Sequence, residues 1–385
     1  MIYVLAVFLY ILPIIFFFKS NVLKILLLTF SYPIALIFLI NNGVDLGRIV
    51  SSIGLSYYSE YIPQALVLTT LSYALLLLLF WKIRNETFHF EVIKLGYVER
   101  TILFFVFIAI SCVAFPRAMG VSEIRYNLLP GSWGGVFNVL SIIIIYTARK
   151  PKDILTILVY IIIAKCFIAG ERADTSIAIL LAFILKNSNG IIVERSIGNI
   201  RFLFLCFIAI CTGVLAGAYR TGVNYSNVFE YLVDSIFGIG TVIDVIHVFL
   251  SSFWYVDNYG NNIDVIMNIV YTIIPFVDGG GVSSEYNFTW LLDSKVDNVG
   301  GGLFYTPFYM AFSSFGFLAF ITTYFGVVKY SFLSSKQWVK YIFIIIIVMQ
   351  CRIQWYGITY PFTSIKLILF IVFLMLFLKK ISHKY

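Results

Sequence analysis

The sequence predicts an all-α, polytopic integral membrane protein of about eleven transmembrane helices, on three grounds. Of its 385 residues, 61% are hydrophobic and only 12% charged, where soluble domains average roughly 25% charged. The apolar residues fall into repeated runs near the roughly 17–25 residues that a spanning helix needs. The basic residues also sort to one side of those runs, as the positive-inside rule demands. Folding in water leaves too little polar surface to cover this much apolar side chain, so the excess faces lipid.

Residues 2–18 make the first span. No basic n-region precedes them and no small-residue cleavage site follows, so a cleavable signal peptide is not expected. The runs 22–40, 62–81, 101–115, 132–148, 154–170, 173–187 and 201–219 follow, then 303–328, 341–357 and 362–378. The whole of 1–385 reads as a single transmembrane domain, with 219–302 as a long outer loop between spans eight and nine. Cys112, Cys166, Cys206, Cys211 and Cys351 lie in apolar runs without metal-ligand spacing, which marks them as small buried residues.

Orientation follows from Lys and Arg. With the carboxyl terminus inside, the cytoplasmic segments hold Lys19 and Lys24; Lys82, Arg84, Lys94 and Arg100; Arg149, Lys150 and Lys152; Lys186, Arg195 and Arg201; Lys329, Lys336 and Lys340; Lys379, Lys380 and Lys384. These are 18 of the chain's 27 basic residues, beside five of its 19 acids (Glu86, Glu91, Glu99, Asp153, Glu194). The amino terminus is then outside. The basic balance is a topology signal, and no nucleic-acid partner is implied. Within the outer loop, 235–254 and 265–277 are apolar; if both crossed the membrane, the turn Val256–Asn262 would be cytoplasmic without one Lys or Arg. They read instead as re-entrant or interfacial helices, a choice that Asp244 and His247 support, since ionisable groups facing lipid are costly.

Nine basic residues escape the topology rule: Arg48, Arg117, Arg125, Lys165, Arg172, Arg220, Lys295, Arg352 and Lys366. Lys165 ends span six, Arg172 lies in the outer turn after it, Arg220 ends span eight, Arg352 is in the outer half of span ten and Lys366 opens span eleven. Lys366 and Lys165 are long enough to snorkel to headgroups, and Arg172 and Arg220 also suit interfacial anchors or partners of Glu171 and Asp174. Together they place positive charge from several helices at one level of the outer leaflet, where clustered Arg suits bidentate recognition of phosphate oxygens. The chemistry indicated is an anionic lipid phosphate or pyrophosphate. No nucleotide-binding loop of the Gly-Lys-Ser/Thr kind is present, so ATP is not the expected energy source.

The outer loop supplies carboxylates. Asp278 and Glu285 flank a glycine turn, and Glu285 stands beside Ser284, Tyr286 and Asn287. Glu285 is the first candidate for a general base and Asp278 the second. Gly300-Gly301-Gly302 suits close backbone approach, a hinge or a plain linker. Trp254, Tyr255, Tyr259, Tyr286 and Trp290 suit sugar stacking and an interfacial aromatic belt equally. Three scattered histidines make no metal site, and His247 is a weak catalytic candidate.

The chain resembles the O-antigen (oligosaccharide repeat unit) polymerases of the Wzy type. The resemblance covers most of the chain as a hydropathy profile with one long outer loop late in the sequence. Locally it rests on Gly170-Glu171-Arg172-Ala173-Asp174, on Tyr219-Arg220-Thr221-Gly222, on Gly300-Gly301-Gly302-Leu303-Phe304 leading to Tyr309 and Phe315-Gly316, and on Arg352 in the penultimate span. The Arg-x10-Gly pattern of some members is not found at Arg172 or Arg220. The resemblance implies a GT-C-like fold in the bacterial inner membrane and a glycosyltransferase without metal or cofactor. It would join undecaprenyl-pyrophosphate-linked glycans at the periplasmic face during lipopolysaccharide biosynthesis, with membrane lipids and a chain-length regulator protein as partners. Arg172, Arg220, Arg352 and Lys165 would hold the pyrophosphate, and Glu285 or Asp278 would take the acceptor's proton. A lipid-linked oligosaccharide flippase or another transporter is the alternative.

Overall fold

The computed structural model of the chain describes residues 1–44, 55–91, 95–121, 132–148, 153–169, 172–188, 191–221, 241–273, 288–293, 295 and 301–357, with 362, 365, 366 and 369. Among them, four helices are long and apolar enough to cross a membrane: Asn21–Asn41, Tyr57–Trp81, Tyr97–Ala114 and Thr306–Leu333. Shorter apolar helices cover Ile2–Phe17, Trp133–Tyr146, Ile154–Ile168, Asn199–Leu215 and Val339–Gln350. Phe8, Phe105, Phe204 and Phe207 stand exposed on these helices, as lipid-facing side chains do.

In chain order the helices are α1 (Ile2–Tyr10), α2 (Leu12–Phe17), α3 (Asn21–Asn41), α4 (Ile62–Trp81), α5 (Tyr97–Ala114), α6 (Pro116–Met119), α7 (Ser132–Tyr146), α8 (Ile154–Ile168), α9 (Arg172–Ile184), α10 (Asn199–Thr221), α11 (Thr241–Tyr259), α12 (Asp264–Ile273), α13 (Phe288–Asp293), α14 (Thr306–Leu333) and α15 (Gln337–Tyr356). A 3₁₀ segment, Leu55–Tyr61, leads into α4. The strands are β1 (His89–Glu91), β2 (Leu185–Ser188) and β3 (Ile191–Glu194).

The sheet is a departure from an all-helical reading. The run 173–187 does not stay helical to its end: α9 stops at Ile184, and Leu185–Ser188 pairs antiparallel with Ile191–Glu194 across Asn189-Gly190. Ile191-Ile192-Val193 is β-branched throughout, which suits a strand. β1 adds to the other edge of β3, with His89 opposite Val193 and Glu91 opposite Ile191, giving the order β1-β3-β2.

Around this sheet, the connections that the basic residues group on one side meet. The Glu194 carboxylate accepts from the Ser20 hydroxyl and from the backbone N–H of Asn21 (3.0 Å), Val22 (3.4 Å) and Phe88 (3.3 Å). It thereby satisfies donors at the start of α3 that have no intrahelical partner. Ser20 also caps that helix by accepting from Leu23 N (3.1 Å). Lys19 N–H donates to Arg84 O (2.7 Å), Lys340 Nζ to His89 O (2.6 Å) and Asn187 Nδ2 to Tyr146 O (2.7 Å). Arg100, buried at 4% exposure, pairs with Asp153 at 2.8 Å and also donates to Ile144 O (3.0 Å), which joins α5, α7 and α8. That guanidinium holds the Asp153 carboxyl below its usual range, helped by the Thr156 backbone N–H that Asp153 caps.

The opposite end is built differently. The run 303–328 is expected as one descending span, but α14 breaks at Phe312–Ser313 and folds back on itself. Phe308 stacks on Phe320 (centroids 3.6 Å apart), Tyr305 meets Phe317 (4.6 Å) and Phe304 meets Tyr324 (5.0 Å). The chain therefore rises from Phe304 to Ala311, reverses, and descends to the sheet, where Phe332 packs on Phe88. Phe304 lies about 12 Å below the reversal, counted along the chain at about 1.5 Å per residue. The only positive-φ residue other than glycine among the described residues is Ser313, at φ 51°. A conformation of that kind costs about 1–3 kcal/mol and persists only where its surroundings hold it. Here the turn after α11 does so. Asn261 Nδ2 donates to Ala311 O (3.2 Å), Ser313 Oγ donates to Asn261 Oδ1 (3.0 Å), and Asn262 N–H donates to Met310 O (2.9 Å).

The turn Val256–Asn262 thus belongs to the end away from the sheet. Its helix, α11, is buried without interruption from Ile243 to Phe253. Among its neighbours are α14, α13 and the 3₁₀ segment. A small separate core of Val248, Tyr255, Val265, Phe288, Leu292, Met310 and Ala311 seals this cap. Two glycines of the triplet are required here. Gly301 has φ +79°, and a Cβ on Gly302 would lie 2.6 Å from the Phe288 ring.

Gly316 is where the two limbs of α14 touch: a Cβ there would lie 2.6 Å from Phe308 O and 2.4 Å from Phe312 Cβ, while one on Gly326 of the same helix meets nothing within 4 Å. Gly316→Ala is expected to lower thermal stability by about 1–3 kcal/mol through overpacking. Gly326→Ala should instead raise it by about 0.5–1 kcal/mol, because Gly is poor in a helix interior. Thermal unfolding of the purified protein in detergent measures both, and equal shifts at the two sites would contradict the re-entrant packing.

Candidate functional site

The basic positions singled out in the sequence lie on helices that pack together. α9 is in contact with α7, α8, α10 and α15. α8, α10 and α15 start at the sheet end, where Asp153, Asn199 and Lys340 are held, and α9 finishes there. Counted along each helix at about 1.5 Å per residue, Lys165 stands about 16 Å from that end, Arg172 about 18 Å, Arg352 about 22 Å and Arg220 about 32 Å. The first three share a level, and Arg220 stands higher. Lys165 is exposed and Arg352 half-buried. Arg172 opens α9 and Arg220 lies in the last turn of α10; their side chains are outside what the structure describes. Lys366 is half-buried. Asp278 and Glu285 fall within 274–287, also outside the described residues.

α15 carries a polar face into the core. Gln350 is fully buried and Gln354 is 9% exposed, flanking Arg352. The Tyr324 hydroxyl donates to Gln350 Oε1 at 3.0 Å. Gln350 Nε2, both amide atoms of Gln354, Asn138 Oδ1 on α7 and Thr306 Oγ1 at the foot of the re-entrant limb find no hydrogen-bond partner among the described residues. A buried polar atom left without a partner costs about 1–3 kcal/mol, so a chain retains several in one region at a price. Arg352 therefore sits in a polar stretch of an otherwise apolar span, which suits a group that meets ligand or water at depth.

The cap brings together carboxylates that are far apart in sequence. The first outer connection offers only Asp45 and Glu60, which reads as no acidic pair. In the fold, Glu60 and Asp257 of α11 both act on the Tyr61 hydroxyl. The Tyr61 ring packs on Phe253, which stacks on Tyr309 at 4.0 Å. Both carboxylates are exposed, so they can reach a solvent-borne hydroxyl. No periodicity or spacing in the sequence signals this pairing, because it depends on how the 3₁₀ segment lies against α11.

Other candidates resolve more plainly. His247 is 1% exposed and packs edge-on against the Tyr58 ring at 5.1 Å, the setting of a core histidine. Of the aromatics, Tyr255 is buried in the cap's own core, while Tyr259 is 54% exposed with Lys295 Nζ 5.2 Å from its ring centre. Tyr259 and Lys295 thus present a flat, positively charged face suited to a sugar ring or its charged substituents. Against known proteins, no family model, no curated protein and no solved structure matches this chain.

Proposed function

We propose that this protein is a polysaccharide polymerase: a glycosyltransferase that joins undecaprenyl-pyrophosphate-linked repeat units at the periplasmic face of the bacterial inner membrane, as in O-antigen synthesis. The observation that supports the reading is the placement of Lys165, Arg172, Arg220 and Arg352 on α9 and on three helices that each pack against it, with Arg352 half-buried in a polar stretch of α15. A glycan transfer of this kind releases a pyrophosphate, and negative charge grows on its oxygens as the bond to the anomeric carbon breaks. Fixed cations aimed at those oxygens stabilise the transition state more than the ground state.

In this scheme the acceptor hydroxyl attacks the anomeric carbon of the donor glycan. The C–O bond to undecaprenyl pyrophosphate breaks, a new glycosidic bond forms, and a carboxylate takes the hydroxyl proton. Glu285 and Asp278 are the proposed bases from the outer loop, and the exposed Asp257–Glu60 pair at Tyr61 is a second place for that role. The re-entrant limb and buried α11 would close the cap over the sugars, and Tyr259 would offer a stacking face. A chain-length regulator would act on the same face. The sheet, with the connections richest in Lys and Arg, would then lie in the cytoplasm. A flippase for the same lipid-linked glycan also needs a basic cavity, and the glycan of a deletion strain separates the two readings: one repeat unit on lipid A marks a polymerase, none a flippase.

Three outcomes are expected. First, a reporter active only outside the cytoplasm works when fused after residue 225, 260 or 290 and fails after 90, 190 or 335; cytoplasmic activity at 260 would reverse the placement of the α11–α12 turn. Second, Arg172→Ala, Arg220→Ala and Arg352→Ala each abolish polymer with the protein still in the membrane. Lys at these positions restores little, because a point charge does not reproduce the bidentate fork, whereas Lys366→Ala is mild. Full chain length with Lys at all three would remove pyrophosphate clamping. Third, loss of the base lowers polymer synthesis by about 10²–10⁴-fold. Glu285→Gln, Asp278→Asn, Asp257→Asn and Glu60→Gln, assayed on lipid-linked substrate, identify which carboxylate it is, and near-normal synthesis in all four would exclude both places.

A further inference from the structure

The sheet end holds a cavity of about 540 Å³ between the end of α2, the start of α3, β1 and the residues after β3. That size falls within the roughly 300–1,000 Å³ of small-molecule sites. Its cationic lining is Lys19, Lys24 and Arg195, and its only carboxylate is Glu194. Glu194 is already engaged, by the Ser20 hydroxyl and the backbone N–H groups of Asn21, Val22 and Phe88. Lys24 is 1% exposed; its ammonium donates to Asn199 Oδ1 at 2.7 Å and Asn21 Oδ1 at 3.2 Å, and it stands 5.2 Å from the centre of the Phe202 ring. None of the three cations belongs to an ion pair among the described residues.

Burying an ammonium is costly, because two amide dipoles replace only part of its hydration and the one carboxylate nearby, Glu194, acts on it without forming an ion pair. Topology accounts for positive charge at this end, but exposed lysines would satisfy it. It gives no reason to bury one of them beside a polar cavity. Arg195 is fixed in place, since its Nε donates to Leu185 O at 3.3 Å. Phe16 and Phe17, 61% and 50% exposed, add an aromatic edge at the end of α2. The cavity therefore joins a cationic wall to an apolar lip.

We propose that this cavity binds a phosphate-bearing anion, with Lys19, Lys24 and Arg195 holding its oxygens. Ammonium and guanidinium groups together suit phosphate by charge and by directed hydrogen bonds. The site is independent of the polymerase reading, whose basic positions lie toward the other end of the helices. Its source is either a lipid headgroup in the adjacent leaflet, with acyl chains along Phe16 and Phe17, or a soluble anion.

The test uses the full chain, delipidated in detergent, with thermal unfolding and native mass spectrometry as readouts. The probes are inorganic pyrophosphate, dioctanoyl phosphatidylglycerol and, as the phosphate-free control, dioctanoylglycerol. At least one phosphate probe is expected to bind saturably, and Lys19→Gln and Arg195→Gln should each weaken it roughly tenfold. Lys24→Met, which keeps the side chain's length, should weaken it as well. Because Lys19 and Arg195 are exposed, their variants fold even where Lys24→Met does not. Binding of pyrophosphate alone identifies a soluble anion, and binding of phosphatidylglycerol alone identifies a headgroup. The proposal is overturned if neither phosphate probe binds, if dioctanoylglycerol binds as well as they do, or if the Lys19→Gln/Arg195→Gln double variant binds like the parent. It is also overturned if affinity is lost in Arg172→Ala or Arg220→Ala and not in that double variant.

Discussion

The Glu194 carboxylate is the junction on which the sheet end depends. It comes from β3 and bonds to the start of α3 and to the chain entering β1, so three connections separated by long stretches of sequence are tied at one group. Four donors compensate its removal from water, yet burial still leaves its carboxyl above the usual range. Losing it would strand the backbone N–H groups of Asn21 and Val22 and free β3 from α3 together. The Arg100–Asp153 pair does the same for α5, α7 and α8. Helices that meet lipid on their outer faces gain little from apolar contact alone, since lipid tails are as apolar as leucine. Polar junctions at their ends therefore carry much of the register.

The other end solves a different problem, which is to place polypeptide inside the body without leaving backbone groups unpaired. At the reversal of α14 the carbonyls of Met310 and Ala311 lose their helical partners, and the Asn261-Asn262 turn supplies replacements. Broken helices at membrane depth are tolerated where protein re-satisfies the freed groups. Gly316 lets the limbs approach, Gly302 threads past Phe288, and the aromatic rings of Phe304, Tyr305 and Phe308 fill the space between limbs. This makes the end away from the sheet rich in special geometry and in exposed polar groups. The sheet end, by contrast, is one hydrogen-bonded plate. Chemistry that must admit a bulky lipid-linked glycan suits the first, and a small anion pocket suits the second.

Much of this was legible in composition and spacing. Apolar runs located the helices from α1 to α10 to within a few residues, apart from the short α6 and the break between α1 and α2 within 2–18, because a spanning segment must be both long and apolar. The grouping of Lys19, Arg84, Arg100, Lys186 and Lys340 on one side matches the end at which their connections meet. Of the run 235–254 the described part, 241–254, is helical, and Asp244 and His247 are buried in it. The sheet was not legible: β2 is four residues at the end of an apolar run, where local pattern favours continuing a helix. Nor was the reversal in α14, since Phe312-Ser313 carries no glycine or proline and its conformation is imposed by Asn261, far away in the chain.

Of the candidate residues, the sequence by itself singled out the basic side chains that lie in or beside apolar runs, because charge in an apolar run is expensive wherever the run lies. It also pointed to the polar stretch of α15, of which the structure buries Gln350 and Gln354 on one face and leaves Arg352 half-buried on another. Only the tertiary structure decided that Arg220 stands higher than the other basic positions, that Glu60 and Asp257 both approach Tyr61, and that Lys24 is buried beside a cavity. Those facts depend on which helices become neighbours and at what height. That choice is made by contacts between distant segments, such as Glu194 with α3 and Asn261 with α14, and no local window of sequence contains it.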